Sequence, residues 1–70
     1  MKRNSTEFVR VGNYAAEVPV VLIVEEGGWS PYLSVEDVRK LETVRAALQA
    51  GNIAEASKLG RVFELTPISA

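Results

Sequence analysis

A run of β-type residues that folds back on itself at Gly12-Asn13 constrains this chain more than any other feature. Phe8-Val9-Arg10-Val11 leads into the pair and Tyr14-Ala15-Ala16-Glu17-Val18 leads out of it. Both turn residues tolerate positive φ, so a two-residue hairpin loop is expected there. The loop sets the register, with Val11 opposite Tyr14 and Val9 opposite Ala16. Side chains alternate along a strand, which gathers Val9, Val11, Tyr14, Ala16, Val18, Val20, Leu22 and Val24 on one apolar face. The other face starts mixed, with Phe8, Arg10, Ala15 and Glu17, and becomes apolar at Pro19, Val21 and Ile23. Helices cover only one side of a thin sheet. Either something else covers the second side, or Pro19 marks a bulge that resets the alternation.

The remaining elements follow from local signals. Residues 1–5 are polar and are expected to fray. Gly27 to Leu33 reads as a loop. Ser34 is a suitable N-cap, and Glu36 and Asp37 in the first turn suit the positive end of the helix dipole. Val35, Val38, Leu41, Val44 and Leu48 follow at spacings of three and four and are expected to form one inward stripe. Glu36 with Lys40, and Glu42 with Arg45, are placed to pair on the solvent face. Gly51 ends this helix. Asn52 caps a second, short one, with Glu55 placed for a capping box and Ile53, Ala56 and Leu59 pointing inward. Gly60 stops it, and Arg61 to Thr66 alternates as a last strand before Pro67. The expected fold is α+β: a mainly antiparallel three-stranded sheet, in the order β-β-α-α-β, with two helices on one face of a single domain.

Seventy residues bury a small core, and domains of this size often need a staple. With no Cys there is no disulfide, and with no His a zinc site would have to be built from carboxylates alone. Association remains as the staple. An apolar content of 47% and a mean hydropathy of +0.06 are high for so small a domain and point to apolar surface awaiting a partner. Net charge is −1 with acids and bases interspersed, so no basic field favours nucleic acid. The longest apolar run, Val18 to Val24, is too short to span a bilayer. The basic start Met1-Lys2-Arg3-Asn4 is not followed by an apolar stretch, so no signal peptide is expected and the expected location is cytoplasmic.

Catalytic chemistry finds little material. Ser5, Ser30, Ser34, Ser57 and Ser69 lack a histidine base. Glu25-Glu26 would point to opposite faces of a strand, and Glu36-Asp37 is explained by the helix start. Gly27-Gly28 lacks the further glycines and the Lys or Ser/Thr ligand of a phosphate loop. No catalytic, cofactor or metal residue is therefore expected. The helix pair over 34–59, joined at Ala50-Gly51-Asn52, allows a helix-turn-helix reading as a nucleic-acid-binding, autoregulatory protein. Against it, the second helix offers only Asn52, Ser57 and Lys58 as polar, non-acidic groups. Trp29 and Tyr32, on a segment ordered by glycine and proline, are candidate interface anchors. Alternatively, Trp29 packs over the core while Pro31 orients the chain into the helix.

Gly27-Gly28-Trp29-Ser30-Pro31-Tyr32-Leu33-Ser34, the helix start Glu36-Asp37, the Leu41 to Leu48 helix and the stretch Ala56 to Pro67 together resemble a group of small prokaryotic proteins of uncharacterised function. The resemblance covers most of the chain from Tyr14 onward. Members of the group are similar to antitoxins encoded beside a small toxin. The resemblance implies a protein-binding role and carries no catalytic or ligand residues with it. The expected function is a non-enzymatic protein-binding domain, either the antitoxin-like partner of a small toxin or a self-associating homodimer. The expected contact residues are Trp29, Tyr32, Phe8, Val21 and Ile23, with no cofactor and no membrane.

Overall fold

In chain order the elements are β1 (Lys2–Val11), β2 (Tyr14–Ile23), β3 (Tyr32–Leu33), α1 (Val35–Gln49), α2 (Ile53–Ser57) and β4 (Arg61–Glu64). They are taken from a computed structural model that describes residues 1–28 and 30–68. The fold is α+β, as expected, but the sheet has four strands rather than three. The extra strand is the two-residue β3, taken from the segment read as loop. β2 is central: it pairs antiparallel with β1 along one edge, and with β4 and β3 in turn along the other.

The β1–β2 register runs unbroken from Lys2↔Ile23 to Val11↔Tyr14. Pro19 therefore introduces no bulge, and the alternation of faces holds to the end of β2. Gly12 has φ of 57°, and no described residue other than glycine has positive φ. Only the first turn position is left-handed, as in the type II′ hairpins whose twist matches that of the strands.

Residues 2–5, read as the frayed start of the chain, lie in β1. Lys2 to Ser5 pair with Ile23 back to Val20. Beyond them the Met1 ammonium donates to the Val24 carbonyl at 2.8 Å, and the Val24 N–H donates to the Met1 carbonyl at 2.8 Å. Polar side chains argued for disorder, but a strand at a sheet edge keeps its side chains in water while its backbone satisfies the neighbouring strand.

The core lies between one face of the sheet and the two helices. Val9, Ala16, Val18 and Val20 meet Val44, Ala47 and Leu48 of α1 and Ala56 of α2. Val11, Tyr14, Leu33, Leu41, Ile53, Leu59 and Val62 border it. The Cα framework measures 48 × 27 × 14 Å, the thickness of one sheet and one helix layer. No described helix is long and apolar enough to cross a membrane.

The inward stripe of α1 is shorter than expected. Val44 and Leu48 are buried, but Val35 and Val38 are 67% and 41% exposed. The reason is helical arithmetic. Val44 lies nine residues beyond Val35, a rotation of about 900°, which places the two half a turn out of phase. Three successive spacings of three carry a stripe round the helix instead of along it.

The caps form as read. Ser34 Oγ accepts from the Asp37 N–H at 3.2 Å. At the other end Gly51, with φ of 75°, closes a Schellman motif: the Asn52 N–H donates to the Ala47 carbonyl and the Gly51 N–H to the Leu48 carbonyl. Asn52 Oδ1 accepts from the Glu55 N–H at 3.3 Å. The capping box is half made, because the Asn52 N–H is taken by Ala47 and the Glu55 carboxylate pairs with Lys58 at 3.2 Å. Lys40 does not pair with Glu36; it reaches the backbone of β2 instead.

Gly60 admits the close approach of β4 to β2. A Cβ there would lie 2.6 Å from the Glu17 carbonyl oxygen and 3.1 Å from Val18 Cγ2. Gly60→Ala is expected to cost about 1–3 kcal/mol, the usual range for overpacking. Urea unfolding measures it, and an unchanged midpoint would show that the two strands separate freely.

Candidate interface on the open sheet face

The pairings fix which side chains share the face that the helices leave bare. Reading across β1, β2 and β4, one row holds Arg10, Ala15 and Phe63, and the next Phe8, Glu17 and Arg61. Further along come Thr6 with Pro19, Asn4 with Val21, and then Lys2, Ile23 and Tyr32 across β1, β2 and β3. Phe8 is 67% exposed, Tyr32 47% and Phe63 39%. The Arg61 guanidinium lies over the Phe63 ring, 5.5 Å from its centroid.

Four of the five residues singled out from the sequence thus lie on one surface. Ile23 and Tyr32 are direct cross-strand partners, Val21 is the next residue on the same face of β2, and Phe8 stands toward the hairpin end. Trp29, the fifth, lies outside the described residues. Sequence reasoning missed Phe63 and Arg61. The alternation from Arg61 to Thr66 carried the signal, but the face each residue takes depends on a register that only the fold supplies.

The middle of this face adjoins a gap in the sheet. β4 pairs with Tyr14–Glu17 and β3 with Leu22 and Ile23, so on that edge Val18 to Val21 have no neighbouring strand. Helix α1 supplies the missing partners. Asp37 Oδ2 accepts from the Val21 N–H at 2.8 Å, and Lys40 Nζ donates to the Pro19 carbonyl at 2.6 Å. By the two-residue period of the strand, the Pro19 ring nitrogen faces this same edge, where no ladder calls for a donor. Proline is therefore accommodated in a central strand at no loss of a hydrogen bond. Two shallow grooves flank the gap. One, of about 460 Å³, lies among Thr6, Glu17, Pro19, Lys58, Gly60 and Arg61. The other, of about 250 Å³, lies among Lys2, Val21, Ile23, Ser34, Glu36 and Asp37.

The connection into β3 is built on a turn. The Gly28 N–H donates to the Glu25 carbonyl at 3.0 Å, and Gly27 takes φ of 69°, as the third position of a type II turn requires. Glu25 is then placed to accept from the Tyr32 hydroxyl at 2.6 Å. That hydrogen bond, followed by desolvation and by the charge of the same carboxylate, raises the Tyr32 phenol above its ordinary pKa.

Elsewhere the polar groups serve the backbone. Ser34 and Asn52 are caps, Ser57 Oγ donates to the Ile53 carbonyl at 2.8 Å, and Lys58 is paired with Glu55. Among the described residues no buried polar or charged side chain occurs, and no group of three or more acidic side chains gathers to hold a metal. What the arrangement offers chemically is an aromatic and aliphatic surface crossed by the charged pair Glu17 and Arg61 and flanked by Lys2 and Arg10. Comparison with protein-family models, with curated proteins and with solved structures returned no match.

Two outcomes are expected from these contacts. Asp37→Ala strands the Val21 N–H at a partly buried position and is expected to lower the unfolding free energy by about 1–3 kcal/mol. Asp37→Asn, which keeps an acceptor, costs less, and equal stability of Asp37→Ala and wild type would show the bond to be idle. The Tyr32 hydroxyl holds its proton more tightly folded than unfolded. Its contribution to stability is thus complete below the ordinary tyrosine pKa and is lost as pH rises through the raised folded value. Spectrophotometric titration of a Tyr14→Phe variant isolates this group. Adding Glu25→Gln should bring its midpoint down, and a midpoint indifferent to that change contradicts the assignment.

Proposed function

We propose that this chain is a non-enzymatic protein-binding module and that the open sheet face is its binding surface. One observation carries the reading: Phe8, Pro19, Val21, Ile23, Tyr32 and Phe63 share a face that neither helix covers. Contiguous apolar surface on a small domain marks interaction sites, and aromatic side chains are preferred anchors there. Three such side chains, fully buried, offer roughly 1.5–3 kcal/mol each before the cost of association. The resemblance to antitoxins gives the partner its class, a small toxin protein met in the cytoplasm. Lys2, Arg10 and Arg61 against Glu17 and Glu25 put charges of both signs on this face, and these would orient such a partner. The engagement of Asn52 and Lys58 within α2 and its caps supports a protein ligand over nucleic acid.

Co-purification with the product of the adjacent gene tests the proposal. The wild-type chain should retain that protein, while Phe8→Asp and Val21→Lys should each weaken retention at least about tenfold, with unchanged circular dichroism. Indifference of the wild type to its neighbour, or full binding by both variants, would overturn it.

A further inference from the structure

The outer edge of β1 is a second surface, independent of the open face. β1 is a ten-residue strand with neither proline nor bulge, paired on one side only among the described residues. The mutual bonds of Met1 and Val24 fix the phase of the β1–β2 ladder. Odd-numbered residues of β1 turn their backbone groups toward β2, so Lys2, Asn4, Thr6, Phe8 and Arg10 turn theirs outward. A long regular edge of this kind is a template for another strand, and natural sheets usually interrupt one.

We infer that this edge pairs antiparallel with β1 of a second copy, in a register that sets Arg3 against Glu7 of the other copy. The backbone and the charges select this arrangement together. A two-fold antiparallel pairing must match outward residues with outward residues, so the paired numbers sum to an even value. A sum of twelve would oppose Lys2 and Arg10, and a sum of fourteen would oppose Glu7 with itself; like charges directly opposite are destabilising. Sums of eight and sixteen oppose no like charges but bring no oppositely charged side chains together; a sum of ten avoids like charges and brings opposite ones together. It sets Arg3 against Glu7 twice, Ser5 against Ser5, Asn4 against Thr6 and Lys2 against Phe8. Arg3 and Glu7 fall at non-hydrogen-bonded positions, where facing side chains approach most closely. Within one chain neither makes an ion pair among the described residues. Because matched residues have the same parity, the helices of both copies lie on one side of a continuous sheet, and the open faces join on the other.

Sedimentation velocity over a concentration series reads the dimer directly. Arg3→Glu and Glu7→Arg, each alone, turn both ion pairs into like-charge pairs and should weaken dimerisation by about tenfold or more. The double variant R3E/E7R restores opposite charges and should return the affinity to that of wild type. Thr6→Pro removes an outward N–H without touching the β1–β2 ladder and should yield a monomer. The inference does not rest on the open face as partner surface, and Val21→Lys should leave the dimer intact. A wild-type chain monomeric at every concentration, or single charge variants that dimerise like wild type, would overturn it.

Discussion

Every other strand of this fold pairs with β2. Its β1 edge carries one continuous strand, and its other edge is shared by β4, two side chains of α1 and β3. The bond from the Val21 N–H to Asp37 completes this arrangement. Without it the central strand would carry an unpartnered donor in the middle of the sheet, a cost comparable to a large share of what so small a domain has to spare. The same bond places the first turn of α1 at the gap, from which the helix crosses the sheet to bury Val44 and Leu48. Pro19 fits this plan because the edge it faces is served by a lysine and not by a strand.

With β2 held in this way, the chain has one helix layer for a two-sided sheet. The covered side takes the small aliphatic residues, which pack closely under α1 and α2. The bare side takes Phe8, Phe63 and Tyr32, each of them exposed. Of the described aromatics only Tyr14 borders the core of valine, alanine and leucine.

Much of the fold was legible because it is written in neighbouring residues. The Gly12-Asn13 turn fixed a register that holds through Ile23, and Ser34, Gly51 and Asn52 mark helix ends by chemistry within one turn of each. Two of the misreadings turned on contacts between distant segments, and a third on the phase of a helix. Residues 2–5 are ordered by β2, far along the chain, and not by their own composition. Asp37 was accounted for by the helix dipole, which hid its second task at Val21. Val35 and Val38 were assigned inward by spacing alone, when the phase of the whole helix sets which side meets the sheet. On the open face, Phe8, Val21 and Ile23 could be found from alternation and Tyr32 as an aromatic beside glycine and proline, whereas Phe63 and Arg61 needed the β2–β4 register.

The central claim is that β2 has one sealed face and one bare face. Solvent paramagnetic relaxation, measured residue by residue on the chain alone with a neutral soluble probe, tests this most directly. The methyl groups of Val18, Val20 and Val44 should be shielded, while the rings of Phe8 and Phe63 relax as exposed groups do. Shielding of those rings to the level of Val18 would mean that the second face is covered within the chain itself, and would contradict the account.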